Sequence, residues 1–210
     1  MPLARLKLWL WLACAAPLAW LGWRIAHGAL GPNPVQTLEY FTGRWALRWL
    51  LVTLAMTPLR RLTSRPEPIQ VRRLLGLWAY AYLCLHFSIY LVFDLQFSPA
   101  QLAEDLGKRA FITAGFAGWL LLLPLALTST NGWQRRLGRR WKTLHRLIYF
   151  AAGAGVLHYA WGVKKDETWP CIYLSILALL LVLRIPWRGI LRARSPAAAA
   201  RDPTVSPRAR

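Results

Sequence analysis

The chain has 210 residues, 56% of them hydrophobic and 13 of them tryptophan, with 27 lysine and arginine residues against 8 aspartate and glutamate residues. A formal net charge of +19 is typical of nucleic-acid-binding proteins, but such proteins rarely contain so much apolar sequence. The apolar content also excludes a disordered basic protein, because disordered chains lack apolar residues to bury. A membrane protein with positively charged loops accounts for both features, so no nucleic-acid partner is expected.

Six apolar segments are long enough, or nearly so, to cross a bilayer as helices, which takes about 20 residues each. Proline and glycine separate the segments, as in Gly31-Pro32-Asn33-Pro34. The sequence therefore predicts an all-α protein, a polytopic membrane bundle of six transmembrane helices over residues 1–190. A disordered basic cytoplasmic tail is expected over 191–210. The predicted helices cover residues 6–25, 41–57, 74–93, 110–127, 144–163 and 169–187.

The distribution of positive charge predicts the orientation. Of the 27 lysine and arginine residues, 20 lie at the N-terminal end, in the loops 60–73 and 135–146, and in the tail from residue 184. Six lie in the opposite set of loops. Because positively charged loops stay in the cytoplasm, both termini are predicted to be cytoplasmic. The N-terminal segment resembles a signal peptide, but its apolar stretch continues to Trp23, which favours an uncleaved first helix.

Three of the four histidines lie in the third and fifth predicted helices: His86, His145 and His158. An ionisable group within a membrane span indicates a functional site. The alternative is a neutral histidine bonded to a neighbouring helix, but three on two helices favour metal ligation. Because the two helices run in the same direction, His86 and His158 are expected at similar depth towards the outer side. Two such imidazoles can bind a haem iron from opposite faces, and without a C-x-x-C-H motif the haem would be of the noncovalent b type.

His145 lies about 20 Å from His158 along an ideal helix, near the cytoplasmic boundary. Arg72 and Arg73 lie at the same depth on the third helix. A guanidinium is a poor iron ligand but a good partner for propionate or phosphate groups. The residues thus specify an outer haem site and leave the inner site ambiguous.

Two further groups of arginines are candidates for binding the phosphate or propionate groups of a cofactor. Membrane topology, anionic lipid or snorkelling to the headgroups explains their positions equally well. They are Arg135, Arg136, Arg139 and Arg140 before His145, and Arg44 and Arg48 in the second predicted helix.

Three segments together carry a resemblance to a known family. They are HGALGPNPVQTLEYFTGRWAL at 27–47, RRLLGLWAYAYLCLHFSIY at 72–90, and LTSTNGWQRRLGRRWKTLHRLIYF with its continuation to HYAWGVK at 127–164. With them the chain resembles the MsrQ (YedZ) family, the haem-binding membrane subunits of bacterial methionine sulfoxide reductase systems. That family is part of the ferric-reductase and NADPH-oxidase transmembrane superfamily.

The resemblance implies an electron-transfer subunit of the bacterial inner membrane that holds haem b and flavin mononucleotide (FMN). A respiratory-chain quinol or a cytoplasmic flavin reductase would donate electrons. A periplasmic, molybdopterin-containing, MsrP-like subunit would accept them and reduce methionine sulfoxide in oxidised proteins. The haem-ligand histidines of the family fall on His86, His145 and His158. The superfamily has two histidines on its third helix, whereas Arg72 or Arg73 occupies the inner position here; one haem plus a flavin, or a second haem with an unusual ligand, both fit.

Two other functions fit the same residues. One is a transmembrane ferric or other metal reductase that uses the haem with a soluble acceptor. The other is a non-redox transporter or scaffold whose histidines bind protons or nothing. Sulfoxide reduction itself is assigned to the partner, since the sequence shows no evident nucleophile or molybdenum site. No G-x-G-x-x-G motif occurs, so the chain is not expected to oxidise NAD(P)H directly.

Overall fold

The structure, a computed structural model of the chain, describes residues 2–163 and 168–185. No strand occurs among these residues, and the helices that fill them confirm the prediction of an all-α protein. A π-helical turn, Tyr90–Asp94, extends the third helix. The α-helices are α1 (Leu3–Ala26), α2 (Pro34–Thr63), α3 (Glu67–Ile89), α4 (Pro99–Lys108), α5 (Ala110–Leu127), α6 (Asn131–Leu137), α7 (Arg139–Leu144), α8 (Leu147–Gly162) and α9 (Thr168–Val182).

Each of the six predicted segments is mostly helical where the structure describes it, although 145–146, 163 and 183–185 lie outside helices, and the predicted segment 110–127 coincides with α5. Both α2 and α3 begin earlier than hydropathy predicts, because prolines at their first turns favour helix initiation. The Asn33 side chain also caps α2 by accepting a hydrogen bond from the Gln36 amide. The sixth predicted segment extends to residue 187 and the predicted tail covers 191–210, so its last two residues and the whole tail lie outside the described residues.

Three short helices, α4, α6 and α7, occupy connections that hydropathy predicts as loops. Side-chain caps start two of them: Ser98 accepts from the Gln101 amide, and Thr130 accepts from the Trp133 amide. Gly138, with a φ of 52°, separates α6 from α7 in a conformation that glycine adopts without strain. Hydropathy misses these helices because they are short and not continuously apolar, and side-chain caps rather than apolar content begin α4 and α6.

Three helices are long and apolar enough to cross a membrane by length and composition: α1, α3 with its π-helical turn, and α5. Helix α9 is apolar but shorter, with 15 residues. Large apolar side chains are exposed on the outside of the bundle, among them Trp9 on α1 and Leu174 and Leu179 on α9, which are 60%, 58% and 57% exposed. Such a surface is stable in lipid and would aggregate in water, so the chain is a membrane protein.

Four helices enclose the interior. Helix α2 packs along α3, and α5 packs along α8, while α3 also contacts α5 and α2 also contacts α8. Helices α3 and α8 therefore lie diagonally across the bundle. Leucine, alanine and valine side chains make most of the core, including Leu50, Leu54, Leu122, Ala151 and Val156.

Helix α1 lies outside these four helices and is attached to α3. The buried Tyr82 hydroxyl donates a 2.7 Å hydrogen bond to the Cys14 carbonyl. Cys14 also packs against Val71 and Leu75 in a second, smaller core cluster. One hydrogen bond and a small apolar contact thus hold α1 against the bundle.

We expect Tyr82→Phe to lower the stability of the folded protein by about 1 kcal/mol, because the buried Cys14 carbonyl loses its hydrogen-bond donor. Unfolding in detergent, followed by helical circular dichroism, measures the change. Tyr40→Phe is the matched control, because the Tyr40 side chain is exposed and its hydroxyl accepts a longer, 3.3 Å bond from Gln36. Equal stability of the two variants would contradict the prediction.

Candidate metal centre

Helices α3 and α8 bring two histidines together inside the bundle. The ring centroids of His86 and His158 are 6.0 Å apart, and the ring planes are inclined by 69°. Both side chains are half-buried and line one cavity. The expectation that these two histidines share a depth and face each other thus agrees with their placement.

A backbone carbonyl holds each ring. Nδ1 of His86 lies 3.1 Å from the Glu39 carbonyl on α2, and Nδ1 of His158 lies 2.7 Å from the Phe111 carbonyl on α5. Because a carbonyl only accepts hydrogen bonds, Nδ1 must be the donor in both rings. Each neutral ring then keeps a lone pair on Nε2, and this is the tautomer that protein metal sites stabilise.

A glycine makes room for each ring. A Cβ atom built on Gly115 would lie 2.6 Å from Nδ1 of His158, which is closer than atoms can approach. On Gly43 it would lie 3.2 Å from the His86 ring. Each glycine lies four residues, or about one helical turn, after the residue whose carbonyl holds the ring. A side chain at the glycine position would therefore cover that carbonyl.

The three elements of this arrangement recur along the chain. In each helix pair, 47 residues separate the carbonyl from its histidine. All three positions repeat after 72 residues: Glu39 and Phe111, Gly43 and Gly115, His86 and His158. The α2–α3 pair and the α5–α8 pair are therefore two copies of one arrangement, and their histidines meet between them.

The cavity between the histidines has a volume of about 320 Å³, within the range of roughly 300–1,000 Å³ that is usual for cofactor sites. Its walls are mainly apolar, and an aromatic cluster of Phe87, Phe116 and Trp119 forms one side. Its polar residues include Arg44, Asp94 and Arg109. A flat, apolar ligand with charged edges fits such a cavity.

The donor set decides which kind of metal group fits. Within residues 2–163 and 168–185, no group of three or more histidine, cysteine or acidic side chains can hold a metal ion. Two histidines alone fill only about half of the coordination positions of zinc, and fewer of those of iron. A group that brings its own in-plane ligands and needs only two axial nitrogens, as haem does, fits the pair.

The π-helical turn after His86 links α3 to α4. The Tyr90 hydroxyl donates a 2.5 Å hydrogen bond to Oδ2 of the buried Asp105, whose Oδ1 lies 3.3 Å from Nε of Arg109. Arg109 is a cavity residue that sequence reasoning missed. Its position directly before α5 is the one signal that could have found it.

His145 lies apart from this pair and does not line the cavity. Its Nδ1 is 3.1 Å from the Trp141 carbonyl, and its ring stacks on the Trp141 indole at 3.8 Å between centroids. Its Nε2 is buried and has no hydrogen-bond partner. The structure thus places His145 in a second environment at the start of α8.

The two candidate arginines of α2 differ in position. Arg44 lines the cavity, and its Nε donates to the Tyr40 carbonyl. Arg48 does not line the cavity; its Nε donates a 3.0 Å hydrogen bond to the Tyr173 hydroxyl, and its guanidinium lies over the Trp45 ring. Of the two, only Arg44 can reach a ligand held by the histidines.

The remaining candidate arginines lie on α3, near its start, and on α6 and α7. Arg72 is half-buried and bonds the Thr57 hydroxyl, while Arg73 is exposed and donates a 2.7 Å hydrogen bond to Asn131. The other four are all exposed, and none lines the cavity: Arg135, Arg136, Arg139 and Arg140.

Comparison with known proteins identifies the family of this chain. Residues 42–156 match the model of the family described as "Ferric reductase like transmembrane component". The matched segment contains His86 and His145 and ends two residues before His158. No solved structure matches the chain.

Curated relatives cover nearly the whole chain. The "Protein-methionine-sulfoxide reductase heme-binding subunit MsrQ" of Xanthomonas euvesicatoria pv. vesicatoria is 47% identical over 202 residues, which is 93% of this chain and 92% of that protein. The protein of the same name from Caulobacter vibrioides is 49% identical over 180 residues, 85% of each chain. A third, from Xanthomonas oryzae pv. oryzae, is 46% identical over 202 residues. The chain therefore belongs to the ferric reductase-like transmembrane family, in which these relatives are MsrQ subunits.

Proposed function

We propose that the chain is the haem-binding electron-transfer subunit of a methionine sulfoxide reductase system, with haem b held between His86 and His158. The observation that carries the proposal is the pair of half-buried rings with centroids 6.0 Å apart. Each ring is held through Nδ1 by a backbone carbonyl. The names of the relatives, which cite haem binding and methionine sulfoxide reductase, support the same function.

The surrounding residues have distinct tasks. The carbonyls of Glu39 and Phe111 fix the ring orientation and increase the electron density at Nε2. The apolar walls exclude water, and the guanidinium groups of Arg44 and Arg109 are placed to bind propionate groups. Bound haem supplies reversible one-electron transfer at its iron.

We propose a topology of six transmembrane helices, α1, α2, α3, α5, α8 and α9, within a domain of residues 1–190 in the bacterial inner membrane. Both termini would be cytoplasmic, with the basic residues 191–210 as a tail on that side. The excess of positive charge in alternate connections supports this orientation. His86 is eight residues before Asp94 at the outer end of its helix, so the haem would lie near the periplasm.

The resemblance to the MsrQ family supports a donor and an acceptor, and the orientation sets the side of the membrane on which each would bind. Electrons would enter from quinol or from a cytoplasmic flavin reductase, with FMN as a further cofactor near the inner end. They would leave the outer haem for a periplasmic molybdopterin-containing subunit, which reduces methionine sulfoxide. Sulfoxide chemistry would then take place in the partner, while this chain supplies electrons.

The visible spectrum of the protein purified in detergent tests the haem site. We expect the Soret band of a six-coordinate b haem, and its loss in both His86→Ala and His158→Ala, because each variant removes one axial nitrogen. His27→Ala is the matched control, since His27 is exposed and lies outside the cavity. His145→Ala should leave the outer haem spectrum in place. A Soret band retained in the double variant His86→Ala/His158→Ala would refute the site.

The glycine contacts give an independent test. Gly115→Ala should lower haem occupancy strongly, because the new methyl group must displace the His158 ring from the Phe111 carbonyl. Gly153→Ala on α8 meets no atom within 4 Å, lies outside the cavity lining and should keep its haem. Haem content per protein, from the pyridine haemochrome spectrum, measures the difference. Equal occupancy in the two variants would show that this contact does not position the ring.

Reoxidation of the reduced protein tests the proposed acceptor against the alternative of a metal reductase. After anaerobic reduction by dithionite, we expect the oxidised periplasmic molybdoenzyme to reoxidise the haem several times faster than a ferric chelate does. Stopped-flow absorbance at the Soret maximum follows the reaction. Rapid reoxidation by the chelate, with none by the molybdoenzyme, would instead identify a metal reductase.

A further inference from the structure

Two arginines meet at the inner end of the bundle without a counter-charge. Arg72 on α3 and Arg184, just after α9, reach the same stretch of α2. Arg72 bonds the Thr57 hydroxyl and Arg184 bonds the carbonyl of Leu54, three residues earlier, so the two guanidinium groups lie within electrostatic range of each other. In the part of the chain that the structure describes, neither guanidinium pairs with a carboxylate. Half-buried like charges at the end of a membrane bundle are unfavourable unless an anion joins them.

Arg184 is held in a fixed position. Its Nη1 donates a 2.6 Å hydrogen bond to the Tyr149 hydroxyl, its Nη2 donates to the Leu54 carbonyl, and its guanidinium lies 5.1 Å from the centre of the Tyr149 ring. Its Nε is buried and has no partner. A guanidinium has five N–H donors, so Arg184 is oriented by the protein and still has donors to offer.

Arg72 and His145 complete the cluster. The Nη1 of Arg72 makes one long contact of 3.4 Å to the Thr57 hydroxyl, which leaves most of its donors unused. His145 lies within electrostatic range of Arg72, and its buried Nε2 has no hydrogen-bond partner. Unused N–H donors, two positive charges and one acceptor nitrogen therefore converge from three parts of the chain.

We propose that Arg72 and Arg184 bind a phosphate group at the inner end of the bundle. A phosphate offers negative charge and several acceptor oxygens, which match two guanidinium groups. The monoanion of a phosphate monoester also has an O–H for the Nε2 of His145, which the phosphodiester of a lipid headgroup lacks. The group belongs either to a soluble phosphate monoester such as FMN or to the headgroup of an anionic phospholipid. This site is separate from the histidine pair, so it stands or falls independently of the haem.

The half-buried pair of Arg72 and Arg184 is a better phosphate site than the exposed arginines of α6 and α7. Exposed guanidinium groups are fully hydrated, so a phosphate gains little by exchanging water for them. Arg72 and Arg184 are half-buried, and the protein already orients Arg184. The charge-assisted hydrogen bonds of such a preorganised pair are correspondingly stronger.

Binding to the purified full-length protein in detergent tests the site with four probes: FMN, riboflavin, inorganic phosphate and phosphatidylglycerol in mixed micelles. Flavin fluorescence reports FMN and riboflavin directly, and the other two are measured by competition and by thermal stabilisation. We expect riboflavin, which lacks phosphate, to bind at least about tenfold more weakly than FMN if the source is a soluble monoester. Stabilisation by phosphatidylglycerol in preference to FMN would identify a lipid headgroup as the source.

Variants connect the binding to the two arginines. Arg72→Gln and Arg184→Gln should each lower the affinity for the preferred phosphate probe by about tenfold or more, as expected for a lost charged hydrogen bond. Arg73→Gln is the matched control, because Arg73 is adjacent, equally charged and exposed. Arg184→Lys keeps the charge without the forked geometry and should bind with intermediate affinity.

Two results would overturn the proposal. One is that none of the three phosphate-bearing probes binds or stabilises the unmodified protein. The other is that Arg73→Gln weakens binding as much as Arg184→Gln does, which would indicate a diffuse charge effect. Helical circular dichroism and size-exclusion chromatography show whether each variant is folded, and Arg184→Lys preserves the test if Arg184→Gln is not.

Discussion

The hydrogen bond from a histidine Nδ1 to a helix carbonyl is the interaction on which the centre depends. It occurs twice, at Glu39 and Phe111, and it fixes two flexible side chains as neutral rings, the proposed haem ligands. The bond at Phe111 requires glycine on the next helical turn, because a Cβ at Gly115 would lie 2.6 Å from the His158 ring, and a Cβ at Gly43 would press on the His86 ring at 3.2 Å. The requirement explains Gly43 and Gly115, which otherwise lower the stability of long apolar helices. Ligand geometry in this protein is therefore determined by the backbones of α2 and α5 as much as by the helices that carry the histidines.

The lining of the cavity suits electron transfer for an electrostatic reason. The lining of the cavity is mainly apolar, and its charged residues are Glu39, Arg44, Asp94 and Arg109. A redox centre in such surroundings is shielded from water, and its potential depends on the few fixed charges near its edge. Arg48, four residues after Arg44, donates a hydrogen bond to the Tyr173 hydroxyl instead and does not line the cavity.

Sequence reasoning predicted the long helices and singled out the histidines within them, because long apolar runs and the ionisable residues inside such runs are strong patterns. The coincidence of α5 with the predicted segment 110–127 shows how far hydropathy alone reaches. The carbonyl partners of the two histidine rings were not predicted, because a backbone group has no signature in the amino-acid sequence. Arg184 was missed for a different reason: among many tail arginines that set topology, nothing in the sequence marks the one that bonds Tyr149.

The 72-residue repeat has a consequence for the assembly of the protein. Each helix pair carries one histidine, one carbonyl and one glycine, so neither pair can complete the centre alone. Helices α3 and α8 face each other across a cavity, so a group bound to both histidines would link the α2–α3 pair to the α5–α8 pair. By thermodynamic linkage, its binding free energy adds to the stability of the associated bundle over the separated halves. Binding of the proposed haem would therefore also stabilise the association of the two helix pairs, and the protein without haem would be a less stable bundle.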